Sequence, residues 1–149
     1  MSKIIWQTRW LDLVDLVASW SEDQHTKIGA VIVNDRNVVL SIGWNGLPRG
    51  VNGNVLARHE RPLKYGFFEH AERNAILNAA AHGIALLGST MYTQYIPCAD
   101  CGRALIQSGI KHLVVKRAFY DERWKPSELI AQEMMLESGL TIQDISLEE

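Results

Sequence analysis

The sequence of this 149-residue chain predicts an α/β fold, namely a three-layer αβα sandwich around a mixed five-stranded sheet. The first observation is the order of the predicted elements: a helix, a β-hairpin, and then three helices that alternate with three strands. A hairpin followed by helical crossovers implies a mixed sheet with helices on both faces. The second observation is the run 74–99, which lacks Asp, Glu, Lys and Arg and therefore indicates a buried helix followed by a buried strand.

The first half of the chain supplies one helix and the hairpin. Apolar side chains recur at helical spacing and predict a first helix over about 4–20. Residues 28–34 and 38–42 are apolar and β-branched on either side of a short polar turn, which is typical of a hairpin. The next segment, 43–67, is predicted to be a long loop because it holds five of the eleven glycines. Such loops often carry function.

The second half alternates between helices and strands, and glycines follow its helices at Gly83, Gly109 and Gly139. Glycine suits the first residue after a helix because it adopts positive φ without strain. The predicted elements are a helix over 69–82, a strand over 90–96, a helix from Pro97 to about Ser108, a strand over 112–116, a helix capped by Ser127 and a strand over 140–145.

Composition narrows the class of protein. With 47% hydrophobic and 21% charged residues, the chain fits one globular domain over 1–149. The net charge of −2 argues against a long nucleic acid as the main partner, because proteins that bind long polyanions usually carry a basic surplus. Neither an export signal nor a membrane-spanning run is visible, so we expect a soluble, cytoplasmic protein without a membrane partner.

The only two cysteines are Cys98 and Cys101, and a disulfide between residues so close would stabilise little. Together with His70 they make a tripodal zinc site, which leaves a fourth tetrahedral position for water. The predicted elements place all three residues at the starts of helices. Because a helix N-terminus carries partial positive charge, it favours a thiolate over a thiol and thereby favours metal binding.

Glu72 follows His70 by two residues and would lie beside the metal without binding it. Zinc lowers the pKa of its water, and a neighbouring carboxylate can accept the proton and pass it on. The pattern His70-Ala71-Glu72 followed by Pro97-Cys98-Ala99-Asp100-Cys101 is typical of zinc-dependent nucleobase deaminases. The sequence therefore predicts a hydrolase with one catalytic zinc ion, in which Glu72 is the proton shuttle.

The chain resembles the cytidine and deoxycytidylate deaminase family from Trp10 to about Ile145. Besides the zinc motifs, the resemblance is carried by the runs Thr26-Lys27-Ile28-Gly29-Ala30-Val31, Gly43-Trp44-Asn45-Gly46-Leu47-Pro48-Arg49-Gly50 and His70-Ala71-Glu72-Arg73-Asn74-Ala75-Ile76. It implies a cytidine-deaminase-like fold whose last two strands run parallel. It also implies a hydrolase that acts on a cyclic amidine, with deoxycytidylate (dCMP) converted to dUMP and ammonia.

The resemblance also implies substrate contacts and partners. Asn45 would hold the sugar hydroxyl, and the remaining candidates divide into a backbone set for the base edge (Gly29, Ala30 and Ala71) and cations for the phosphate (Lys27, His25 and Arg49). Many relatives are hexamers regulated by dCTP and dTTP. A homo-oligomer, these effectors and an effector-bound Mg²⁺ are therefore expected here.

Several other interpretations remain open at this point. The same zinc chemistry could act on another base, such as tRNA adenosine, guanine or a pterin, or the domain could be a catalytically idle zinc-binding regulatory module. The two cysteines could form a redox pair, or His82 or His112 could complete a structural zinc site. The charged run Arg58-His59-Glu60-Arg61 is interpreted as solvated or subunit-facing surface.

Overall fold

The fold was analysed in a computed structural model that describes residues 2–148. One five-stranded sheet has the order β2-β1-β3-β4-β5. β1 pairs antiparallel with β2 and β3, whereas β3, β4 and β5 run parallel to one another. The mixed sheet and its parallel last strands confirm the sequence prediction.

The helices and strands alternate as predicted after the hairpin. Their bounds are α1 Lys3–Ala18, β1 Gly29–Val33, β2 Val39–Trp44, α2 Lys64–Phe67, α3 Ala71–Ala81, β3 Thr90–Thr93, α4 Ala99–Gln107, β4 His112–Val115, α5 Lys125–Glu137 and β5 Thr141–Asp144. Gly83, Gly109 and Gly139 follow α3, α4 and α5 with φ values of 67°, 84° and 92°. Their positive φ confirms the predicted helix ends.

The sheet is buried between two helical layers. Because side chains alternate across a strand, Val31 and Val33 of β1 face α1, whereas Ala30 and Ile32 face the opposite layer. That opposite layer contains α3, α4 and α5. All five residues of β1 are buried, as expected for a strand covered on both faces. No helix within residues 2–148 is long and apolar enough to cross a membrane.

Two local predictions were wrong. The segment 43–67 is not a plain loop, since it contains a 3₁₀ turn at Leu56–His59 and the short helix α2. Ser127 does not cap α5, which begins two residues earlier at Lys125. Its hydroxyl instead accepts a hydrogen bond from the backbone N–H of Ala99, the first residue of α4, at 2.8 Å. A cap from a distant segment has no signal in local sequence.

Two glycines allow helices to lie directly on the hairpin strands. A Cβ atom at Gly43 would lie 2.3 Å from the backbone nitrogen of Ala75 and 2.5 Å from the carbonyl oxygen of Ala71. A Cβ atom at Gly29 would similarly lie 2.4 Å from the carbonyl oxygen of Val14. Only glycine allows these approaches, and the one at Gly43 sets the distance between β2 and the start of α3.

We expect Gly43→Ala to lower the free energy of unfolding by about 1–3 kcal/mol, because α3 must move away from β2 to make room for a methyl group. Gly66→Ala is the matched control, since nothing lies within 4 Å of a Cβ atom there. Urea unfolding of the two variants measures the difference. Equal stability of the two variants would contradict the proposed role of Gly43 in packing.

Candidate active site

The three predicted zinc ligands lie at the starts of two helices. His70 is the N-cap of α3, and Cys98 is the N-cap of α4, with Cys101 in its first turn. Neither cap residue makes a side-chain hydrogen bond to its own helix. Both helix N-termini therefore direct partial positive charge at the same place, and the cap side chains are available for other chemistry.

The geometry of these side chains fits a tetrahedral zinc ion. Nδ1 of His70 lies 3.4 Å from Sγ of Cys98 and 3.4 Å from Sγ of Cys101. Zinc bonds of about 2.3 Å to sulfur and 2.1 Å to nitrogen, at a tetrahedral angle, separate S and N by about 3.6 Å. Within residues 2–148, this is the one cluster of three or more His, Cys, Asp or Glu side chains with metal-binding spacing. His82 and His112 lie outside it, so a fourth ligand from either is not supported.

The electrostatics of the cluster favour a thiolate. The pKa of Cys98 is lowered to about 4 despite its burial. The main cause is its hydrogen bond with the thiol of Cys101, and the hydrogen bond and charge of His70 add to the effect. The same thiol pair raises the pKa of Cys101, and burial adds to the effect. Burial disfavours a charged His70 ring, but the Cys98 hydrogen bond and the Glu72 charge raise its pKa overall. A soft divalent cation would be stabilised by this anionic set of ligands.

Glu72 lies in the first turn of α3 and is only 6% exposed. It lines the same cavity as His70 and Cys98. Burial raises its pKa, and the charge on His70 offsets only part of that effect. A carboxyl whose pKa is raised in this way holds a proton more readily than an ordinary carboxylate, as a group that accepts and then donates a proton must.

Hydrogen bonds hold the start of α3 in place. Oε1 of Glu69 accepts hydrogen bonds from the backbone N–H of His70 at 2.9 Å and from Nε of Arg73 at 2.7 Å. Glu69 also exchanges backbone hydrogen bonds with Gly46, just after β2. Nδ2 of Asn74 donates to the carbonyl of Trp44 at 2.7 Å. The ligand-bearing turn is thus fixed to the end of β2 from both sides.

The other predicted substrate contacts divide into three groups. Asn45 and Ala71 line the cavity. Gly29 and Ala30 belong to β1, where Thr93 and Gln94 bond the backbone of Gly29. The predicted phosphate cations Lys27, His25 and Arg49 are exposed and do not line the cavity, and Arg49 borders a separate hollow beside α3. The roles given to all seven residues stay predictions.

The side-chain amide of Asn45 is used inside the protein. Its Oδ1 accepts the backbone N–H of Ile28 at 2.8 Å, and its Nδ2 donates to the carbonyl of Thr26 at 2.8 Å. Nδ2 also lies 3.3 Å from Oδ2 of Asp23. Asn45 therefore fixes the segment before β1 against the cavity wall.

Comparison with known proteins identifies the family. The model for the zinc-binding region of cytidine and deoxycytidylate deaminases matches residues 4–117. The chain belongs to this family. The match confirms the family that the sequence motifs predicted and includes all three zinc-ligand candidates and Glu72.

Individual members of the family align over much of the chain. An uncharacterised deaminase from Aliivibrio fischeri is 34% identical over 145 residues, which cover 96% of this chain and 95% of that protein. Deoxycytidylate deaminase from Homo sapiens is 35% identical over 114 residues, covering 73% of this chain and 63% of that protein. The dCMP deaminase of cyanophage S-TIM5, solved in complex with dCMP and dUMP, has a TM-score of 0.77 at 25% identity, covering 97% and 98% of the two chains. These relatives confirm the cytidine-deaminase-like fold and a zinc-dependent hydrolytic deaminase.

Sequence patterns did not reveal several residues of this deaminase's cavity. Arg61 lines it, although the sequence predicts solvated or subunit-facing surface for the run 58–61. Nζ of Lys64 forms a buried ion pair with Oδ2 of Asp23 at 2.6 Å, with the two side chains only 7% and 4% exposed. The missed residues that line the cavity are Asp23, Arg61, Lys64, Tyr65, Tyr95, Tyr120, Trp124 and Glu128. They come from several loops and helices, and their sequence carries no common motif.

We expect Asp23→Asn to lower the free energy of unfolding by about 3 kcal/mol at neutral pH, because it leaves Lys64 buried and unpaired. Burial raises the pKa of Asp23, but hydrogen bonds from Lys64 and the backbone N–H groups of His25 and Thr26 lower it overall. A lowered pKa stabilises the folded state above the unfolded value of 3.8, and that contribution is lost as the pH falls through the folded value.

The stability difference between wild type and Asp23→Asn should therefore be constant above about pH 5 and shrink below about pH 4. Urea unfolding across this range measures it. Asp35→Asn, in the exposed hairpin turn, is the control and should show little change at neutral pH. A difference that grows on acidification would contradict the assignment.

Proposed function

We propose that this deaminase hydrolyses dCMP to dUMP and ammonia. The observation that carries the proposal is that the buried carboxyl of Glu72 lines the same cavity as His70 and Cys98, two members of the three-residue cluster. A structural zinc site needs no such carboxyl, so the arrangement favours catalysis over an idle zinc-binding module. The choice of dCMP rests on the human and cyanophage relatives, which are dCMP deaminases.

His70, Cys98 and Cys101 would hold the zinc ion, which when bound supplies Lewis-acid activation of a water molecule. Glu72 takes a proton from the attacking water and delivers it to the ring nitrogen of the base. The same carboxyl then takes the second proton from the hydroxyl that has been added to the ring carbon, and passes it to the amine. The C–N bond breaks, ammonia leaves and the carbonyl of the product forms. Burial supports both roles, because a raised pKa allows Glu72 to hold the proton between the two transfers.

The mouth of the cavity fits a nucleotide phosphate. Arg61 lines it, and none of the ion pairs found within residues 2–148 involves Arg61. The hydroxyls of Thr26 and Tyr120 lie 3.3 Å apart in the same cavity and add hydrogen-bond donors. We therefore add Arg61 to the candidate phosphate cations Lys27, His25 and Arg49, which lie outside the cavity.

Four further expectations come from the sequence. One is a cytoplasmic location, and the other three rest on the family resemblance alone. These three are assembly into a homo-oligomer such as a hexamer, regulation by dCTP and dTTP, and Mg²⁺ bound with such an effector. Each stays a prediction for this chain.

Offered dCMP, CMP, deoxycytidine, dCTP, adenosine and guanine separately, the zinc-loaded protein should release ammonia most efficiently from dCMP. Comparison of kcat/KM between dCMP and deoxycytidine measures the contribution of the phosphate. Preference for another base would support the deamination reaction but contradict dCMP as the substrate. Silence on every compound, from protein shown to contain zinc, would instead favour the idle module.

We expect Glu72→Gln to keep stoichiometric zinc and to lose nearly all turnover, because the amide cannot carry the proton. Cys98→Ala is the matched contrast and should lose zinc as well as activity, since two ligands hold the ion poorly. Elemental analysis and ammonia release distinguish the two variants. More than a few per cent of wild-type turnover in Glu72→Gln would contradict the proton-shuttle role.

A further inference from the structure

A second acidic side chain, Glu128, lines the cavity and has no part in the reaction described above. It lies in the first turn of α5 and is only 4% exposed. No group within residues 2–148 makes a hydrogen bond to its Oε2 atom, which is itself fully buried. Buried carboxyl oxygens are nearly always hydrogen-bonded, so an unpartnered one needs a reason.

The packing of α5 on α4 fixes the position of Glu128 relative to the zinc-ligand cluster. The hydroxyl of Ser127 accepts the backbone N–H of Ala99 at 2.8 Å, which joins the first turns of the two helices. One turn further along, a Cβ atom at Gly102 would lie 2.9 Å from Cβ of Ala131, so the helices are in close contact. Glu128 is therefore held beside the turn that carries Cys98 and Cys101.

The surroundings of Glu128 disfavour a carboxylate in the absence of a ligand. Burial is the main cause that raises its pKa to about 7, and the nearby charges of Asp121, Cys98 and Glu72 raise it further. An unpartnered carboxyl in such a place destabilises the fold. A carboxyl with no structural partner, inside a reaction cavity, is expected to have a partner in the substrate.

We infer that Glu128 is a specificity-determining residue that accepts a hydrogen bond from the exocyclic amine of the base. This inference rests on the proposed function. The carbon that bears the amine must approach the zinc-ligand cluster and Glu72, so the N–H donors of the amine enter the part of the cavity where Glu128 lies. The deaminated product carries an oxygen acceptor at that position instead. Glu128 therefore binds the amine substrate and repels the oxo product.

The test compares the binding of dCMP and dUMP by calorimetry to zinc-loaded protein that carries Glu72→Gln, which prevents turnover. A second protein adds Glu128→Met, which keeps the length of the side chain and removes its acceptor. We expect this change to weaken dCMP binding by up to about tenfold, as loss of one hydrogen bond does, and to leave dUMP binding unchanged or tighter. Adding Glu133→Ala instead, at an exposed position of α5, is the control and should affect neither ligand.

Thermal melts separate this role from a structural one. If Glu128 serves only the substrate, Glu128→Met keeps or raises the melting temperature of the protein without nucleotide, because it removes an unpartnered carboxyl. Glu128→Gln should recover part of the dCMP binding, since its carbonyl oxygen still accepts a hydrogen bond. Parallel weakening of dCMP and dUMP together with a lower melting temperature would overturn the inference, and so would unchanged binding of both.

The wild-type ammonia assay shows separately whether the proposed substrate is right. If another amine is deaminated in place of dCMP, only the substrate is overturned, and the same comparison is made with that amine and its oxo product. Selective loss of the amine ligand supports the role of Glu128 for whichever base is used. Equal loss of both ligands overturns that role while leaving the reaction intact.

Discussion

The convergence of three helix starts at one end of the sheet is the constraint on which the site depends. α3 presents His70 and Glu72, α4 presents Cys98 and Cys101, and α5 presents Glu128. Two parallel β-strand connections put α4 and α5 on the same face as α3. Since helix N-termini carry partial positive charge, they favour a metal-binding thiolate there, and the pKa of Cys98 is lowered to about 4. Burial has the opposite effect on Glu72 and Glu128, whose pKa values it raises.

The opposite wall depends on a buried ion pair rather than on helix ends. Asp23 pairs with Lys64 and also accepts the backbone N–H groups of His25 and Thr26. Asn45 joins this network through its amide. The short helix α2 therefore packs against the segment before β1 through charge, and the cavity between them stays open. A buried lysine or aspartate without its partner destabilises the folded state, so the stability of this wall depends on both residues.

The features that could be predicted from sequence are those encoded by local spacing. The alternating elements, the glycines after helices and the His70, Glu72, Cys98 and Cys101 set all lie in short patterns, and the structure brings the three metal-ligand candidates together. The sequence does not predict the roles of Ser127, Lys64 and Arg61. Each role depends on segments that are distant in sequence, so a short stretch of residues around any of them does not reveal it. The predicted phosphate cations Lys27, His25 and Arg49 lie near the strand motifs, whereas Arg61, which lines the cavity, follows the 3₁₀ turn.

The distribution of charge in the cavity orients a ligand. Its lining includes the thiol of Cys98 and the carboxyls of Glu72 and Glu128, and it also includes the exposed Arg61. The charge of Lys64 is neutralised by Asp23, so Arg61 remains as the cation that an anionic group can reach without breaking a buried pair. A ligand with hydrogen-bond donors at one end and a phosphate at the other fits only one way round. A nucleotide whose base carries an exocyclic amine has that polarity, whereas its oxo product carries an oxygen acceptor in place of the amine.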